Sequence, residues 1–223
     1  GKRTIKPEWL VEDLFKLSSA EKLKERIHYN NEKIEKLEEE NHTLQLEAEN
    51  IEGLQSLLYE TGKPLEESVR KALKILGYQA EGYDNGKLEL DQVLVSPEGI
   101  KFIGECEGRD DKPIALKKFR QLLDSLKNYM YSEDEIKEVY GILIGNPFRL
   151  TNPEKRGNEE FTPHCIDGAR REKIGLLTTD SLFYVARYIQ ESNDMEFAKK
   201  CREAIFEQLG GVIVFPDIPL KEE

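Results

Sequence analysis

The chain has 223 residues and a net charge of −11, with 35% charged and 38% hydrophobic side chains. Its mean hydropathy is −0.62, and a single sphere of this length needs a larger apolar share, so part of the chain lies outside any core. A pI near 5.0 argues against coating nucleic acid or anionic membrane through a bulk field, and leaves room for local contact with phosphate through metal ions or a small basic patch.

No run of about 18 apolar residues exists, so no membrane span is expected. The opening Gly1-Lys2-Arg3-Thr4 has no apolar stretch behind it and does not read as a signal peptide, and the lack of an initiator Met suggests a piece of a longer chain. Cys106, Cys165 and Cys201 are too few and too scattered for a disulfide framework, which suits a reducing cytoplasm. His164, Cys165 and Asp167 match no standard zinc spacing.

Residues 1–19 carry a net +1 and read as a short N-terminal helix or tail around Trp9, Val11, Leu14 and Phe15. Residues 20–58 contain no Pro, one Gly, and a seven-residue apolar beat. Leu23, Asn30, Leu37, Leu44, Ile51 and Leu58 fall at d, with Ile27, Ile34, Asn41, Ala48 and Gln55 at a. Such a seam favours a two-stranded coiled coil, and Asn41 is of the kind that fixes register. The pattern predicts a homodimer through the coil. An amphipathic helix folded onto its own domain, or a single exposed helix, is the alternative; the coil or missing upstream sequence is also a candidate surface for a protein partner. Residues 20–60 hold eleven Glu against five Lys or Arg, a net −6 and over half of the chain's charge.

Residues 59–223 read as a mixed α/β domain. Leu65, Val69, Leu73 and Leu76 mark a helix ending at Gly77. Strands follow at 79–83, 88–95 and 100–107, separated by Asp84-Asn85-Gly86 and Ser96-Pro97-Glu98-Gly99 turns. A helix over 114–131 and a buried strand over 139–144 come next. Residues 147–173 are irregular with a helix possible over 158–170, then a strand over 174–177, helices over 181–191 and 194–209, and a last strand over 212–215. The order predicts a sheet covered by helices.

Alternation places Leu88, Leu90 and Leu94 on one face of their strand, and Asp91 with Glu89, Val93 and Val95 on the other. On the next strand Glu105 and Glu107 share a face with Ile103, so Asp91 can approach both across the hairpin. Converging carboxylates raise one another's pKa, and a divalent cation with hard oxygen ligands relieves that penalty. Glu66, one turn into the first helix, can supply another ligand from above the sheet. A solvated sheet edge is the alternative.

Residues 58–131, and more loosely the chain to 216, resemble the PD-(D/E)XK nuclease superfamily, whose fold is restriction-endonuclease-like. The resemblance rests on Leu58-Tyr59-Glu60-Thr61-Gly62-Lys63-Pro64-Leu65-Glu66, on Asp91, on Glu105-Cys106-Glu107, on Gln121 in Phe119-Arg120-Gln121-Leu122, and on the segment Leu176 to Leu182. Glu107 stands where that superfamily usually has Lys, and Lys112, Lys117 or Lys118 is the candidate replacement. The resemblance implies a Mg²⁺- or Mn²⁺-dependent endonuclease acting on DNA, with Glu66, Asp91, Glu105 and Glu107 as metal ligands. It implies further that Lys117 positions the phosphate, that Gln121 orients substrate or water, and that Lys63, Arg109 and Lys112 meet backbone phosphates. A nuclease-fold protein that acts as a dimeric scaffold or binds nucleic acid without cutting it is the competing expectation.

Overall fold

In the computed structural model, residues 3–84, 86, 89–132, 138–157 and 159–220 are described. Asn85, Leu88 and Asn158, which belong to the expected turn, strand start and helix start, lie outside them. The chain divides into two units, Gly1–Ile51 and Glu52–Glu223. No described helix is long and apolar enough to cross a membrane.

In the first unit, the expected N-terminal helix is instead two 3₁₀ turns, Glu8–Val11 and Asp13–Phe15, with no buried residue. The rings of Trp9 and Phe15 meet edge to face at 5.1 Å. Helix α1 spans Ser18–Glu52 and has no buried residue either. The heptad phase expected through Leu58 stops at Ile51. Gly53–Gln55 tightens into a 3₁₀ turn, and Leu54 and Leu57 are buried in the core of the second unit.

The second unit is a five-stranded sheet between two helical layers. Its strands are β1 (Gln79–Asp84), β2 (Glu89–Val95), β3 (Lys101–Gly108), β4 (Val139–Asn146) and β5 (Gly175–Thr178), in spatial order β1-β2-β3-β4-β5. The β1/β2 and β2/β3 pairs are antiparallel, whereas β3/β4 and β4/β5 are parallel. The helices are α2 (Ser56–Tyr59), α3 (Gly62–Ile75), α4 (Leu116–Ser132), α5 (Pro163–Glu172), α6 (Thr179–Ser192) and α7 (Met195–Glu207).

Strand alternation feeds both layers. Leu94, Phe102, Cys106, Ile142, Ile144 and Leu177 join the core that includes α3, α6 and α7. Ile103, Leu143 and Leu176 face the core built on α4 and α5. Helix α3 buries Leu65, Val69, Ala72 and Leu73 at helical spacing and ends in a Schellman cap. There Gly77, at φ +96°, donates to the Lys74 carbonyl while Tyr78 N–H bonds the Leu73 carbonyl at 3.0 Å. The expected last strand is reduced to one parallel bridge, Leu176↔Val212, because the Gln208 side chain takes both backbone groups of Val214.

Arg202 of α7 closes one end of this core. Its guanidinium donates to the Leu76 carbonyl at 2.7 Å and to Glu98 in the β2–β3 turn at 2.7 Å. The hydrogen bonds from Arg202 hold the Glu98 carboxyl down at about 2. A depressed folded-state pKa stabilises the fold above the ordinary carboxylate range and loses that stabilisation as pH falls through the folded value. Glu98→Gln is therefore expected to flatten the acid limb of stability between about pH 4.5 and pH 2, as followed by circular dichroism across an acid titration. An unchanged limb rules out this pair as its source.

Candidate active site

The site begins with a break in alternation. Glu81 pairs with Val93, but Tyr83 pairs with Leu90, so Gly82 faces both Asp91 and Gln92 across a β-bulge. The bulge resets the period, and Leu90 lands in the α4–α5 core while Leu94 lands in the α3–α6 core. Strict alternation, which puts both leucines on one face, fails here for that reason. Helix α3 clamps the bulge from above. Arg70 donates to the Asp91 carbonyl at 2.8 Å and the buried Gln92 amide donates to the Glu66 carbonyl at 2.8 Å. The β2–β3 ladder ends at Gln92↔Gly104, and one residue on, the Asp91 carboxylate takes over from the backbone by accepting from Cys106 N–H at 2.9 Å.

Glu105 sits on the core-facing side of β3 with 0% of its surface exposed. A buried carboxylate is costly unless its oxygens are bonded, and α4 supplies the partners from one stripe at i, i+3 and i+7. Lys118 Nζ lies 2.7 Å from Glu105 Oε2, Gln121 Nε2 donates to the same oxygen at 2.9 Å, and Ser125 Oγ donates to Oε1 at 2.9 Å. Lys118 Nζ also lies 3.1 Å from Asp91 Oδ2, so one ammonium joins the two carboxylates. Burial, reinforced by Asp91, pushes the Glu105 carboxyl up to about 7. Burial works against the Lys118 ammonium too, but the carboxylates outweigh it and raise its pKa.

Lys117, the lysine assigned this position from the sequence, is exposed. Buried Phe119 and Leu122 set the rotational phase of α4, and a step of one residue turns a side chain about 100° away. The structure therefore brings Lys118, not Lys117, to Asp91 and Glu105.

The other expected ligands stand further out. Partial burial and the Asp91 charge push Glu66 up, while Arg70 and Lys118 oppose the shift. Glu107 has one oxygen 3.5 Å from Arg109, and burial raises its pKa against the opposing pull of Arg109, Lys118 and the Ala115 backbone. Among the described residues no three His, Cys, Asp or Glu side chains are grouped to hold a metal ion. The four carboxylates thus do not gather into one cluster, and only Asp91 and Glu105 share a cation. That pair still suits Mg²⁺ or Mn²⁺, because such ions accept one or two carboxylates and fill the remaining positions with water and phosphate oxygens. Lys63, with Glu66, Arg70, Tyr83, Asp84 and Glu89, lines an adjacent cleft of about 320 Å³, and Lys112 is exposed on the loop after β3.

The architecture has a counterpart among solved structures. The restriction endonuclease FokI aligns with a TM-score of 0.50 at 10% identity over 73% of this chain. The fold is restriction-endonuclease-like. A structure of FokI bound to DNA aligns with a TM-score of 0.45 at 13% identity over 75% of the chain. In both cases the chain spans 30% of the FokI structure's length. No family model and no curated protein matches the sequence.

Within this restriction-endonuclease-like fold, the strand ends around the site are braced by side chains the sequence reading did not single out. A Cβ on Gly108 would lie 2.7 Å from Thr61 Cβ and 2.8 Å from the Glu60 carbonyl, so only glycine lets β3 end against the start of α3. Asn146 donates to the Glu60 carbonyl at 3.1 Å, and Arg149 and Arg156 cap the Tyr59 and Leu58 carbonyls at 2.6 and 2.7 Å. These residues lie 86 to 98 positions from their partners, and no local pattern announces such contacts. Lys118 and Ser125 had a signal, since they flank Gln121 at helical spacing. Lys118→Met, which leaves Glu105 buried without its cation, is expected to cost about 2–4 kcal/mol, and Lys117→Met less than about 0.5 kcal/mol. Urea denaturation of the two variants reads the difference, and equal costs would remove Lys118 from the buried network.

Proposed function

We propose that the chain is a metal-dependent endonuclease that hydrolyses DNA phosphodiester bonds. The observation that carries this reading is the Asp91–Lys118–Glu105 arrangement, with Nζ–O distances of 3.1 and 2.7 Å, at the strand ends of a restriction-endonuclease-like fold. Asp91 and Glu105 would hold Mg²⁺ or Mn²⁺, with Glu66 and Glu107 as outer carboxylates. Such an ion lowers the pKa of a bound water and offsets charge on the phosphoryl oxygens. Gln121 and Ser125 keep Glu105 in one orientation, which limits the reorganisation needed when substrate arrives. Lys118, whose pKa is raised by the two carboxylates, would serve as the cation that meets the phosphate, replacing the lysine absent at Glu107. Lys63 in the first turn of α3, with Arg109 and Lys112 after β3, would meet backbone phosphates. The likeness to a restriction endonuclease supports DNA as the substrate class.

A second reading, nucleic-acid binding without cleavage, is favoured by the absence of a three-carboxylate group among the described residues. Plasmid and single-stranded DNA incubated with Mg²⁺ or Mn²⁺ separate the two. Cleavage by the wild-type chain, reduced at least about a hundredfold in Asp91→Ala, Glu105→Ala and Lys118→Ala but unchanged in Lys117→Ala, is the expected result. No cleavage of either substrate, together with no stabilisation by metal, sinks the nuclease reading.

We propose also that α1 forms a homodimeric coiled coil. Leu23, Ile27, Ile34, Leu37, Leu44 and Ile51 are each between 51% and 58% exposed on a helix with no buried residue. A parallel partner would bring Lys33 opposite Glu38 across the seam. Two copies would give two symmetry-related sites for two strands. The three free, buried cysteines suit a reducing compartment such as the cytoplasm. The double change Ile34→Glu and Leu37→Glu is expected to convert dimer to monomer in light scattering without lowering the melting point of the second unit. A mass that does not change removes α1 as the dimerising element.

A further inference from the structure

We infer that Lys118 is a tethered cation that competes with the divalent ion for the Asp91–Glu105 pair, so that the site loads metal only when the lysine withdraws. The inference rests on the metal-dependent reading above. Its basis is geometric. One Nζ lies 3.1 Å from Asp91 Oδ2 and 2.7 Å from Glu105 Oε2, which is the position from which a single cation reaches both carboxylates. A magnesium ion needs oxygen contacts of about 2.0–2.1 Å, and an ammonium held beside it in a partly buried pocket would repel it strongly. The two occupants exclude each other.

The surroundings make the exchange feasible. The Lys118 side chain is 17% exposed, whereas that of Glu105 is 0% exposed, so the lysine has a route to solvent and the glutamate has none. When Lys118 leaves, Glu105 keeps a neutral donor on each oxygen, Gln121 on Oε2 and Ser125 on Oε1. Asp91 likewise keeps its bond from Cys106 N–H. The carboxylates therefore stay in place while the cation changes. A phosphate oxygen is a natural new acceptor for the displaced ammonium, so nucleic acid and metal would each favour the other's binding.

The test uses the full chain without DNA, with Mn²⁺ as the probe and the free ion followed by electron paramagnetic resonance. Lys118→Met is expected to bind Mn²⁺ about tenfold more tightly than wild type, and Lys117→Met to match wild type. Equal or weaker binding by Lys118→Met overturns the competition and leaves the metal-site reading standing. No binding by any of the three overturns both. A second measurement needs no variant. Amine acylation of the wild-type chain, read by peptide mass spectrometry, should label Lys118 several-fold faster with Mg²⁺ than without, with Lys117 constant as the internal reference. A Lys118 rate that ignores Mg²⁺ also overturns the proposal.

Discussion

Glu105 sets the constraint on which the rest of the site depends. An ionisable side chain on the inward face of a central strand, beside Ile103 and Leu143, is tolerable only when both oxygens are bonded and a cation lies near. Helix α4 meets that demand with three residues on one stripe, and it can do so only in the phase that buries Phe119 and Leu122. The hydrophobic core therefore determines which lysine reaches the carboxylates. Packing and site geometry are here the same decision.

The β2 bulge is the complementary device. By placing two residues opposite Gly82 it turns Asp91 out of the ladder and toward β3, where its carboxylate replaces a backbone acceptor for Cys106 N–H. Arg70 and Gln92 then fasten the irregular segment to α3. At the C-terminal ends of β3 and β4, Asn146, Arg149 and Arg156 bond the carbonyls of Glu60, Tyr59 and Leu58 where α2 ends. Asp91, Glu105 and Lys118 thus stand on strands and a helix rather than on free loops, the kind of support that holds side chains within small tolerances.

The charge distribution follows the same division of roles. Over half of the net −11 lies in residues 20–60, while residues 61–223 hold 24 basic and 30 acidic side chains. Four of those acids are Glu66, Asp91, Glu105 and Glu107, and Lys118 already compensates two of them internally. A charge distribution of this kind gives no strong overall field for a polyanion, so the proposed contact with nucleic acid would be local, through particular cations.

The sequence by itself determined the sheet and its covering helices, because burial periodicity is local and survives in the order of side chains. The buried stripe of α3 and the strands around Leu94 and Phe102 were legible in this way. Leu58 and Val212 misled it, since the first continues a heptad that ends at a 3₁₀ turn and the second has strand composition but one bridge. Tertiary structure alone decided that Lys118 and not Lys117 faces the carboxylates, that β2 bulges at Asp91, and that Glu107 lies apart from the shared cation. The physical reason is that helix phase and strand register are settled by what each element packs against. A shift of one residue, invisible to a pattern of apolar positions, turns a helical side chain by about 100° and sends a strand side chain to the opposite face.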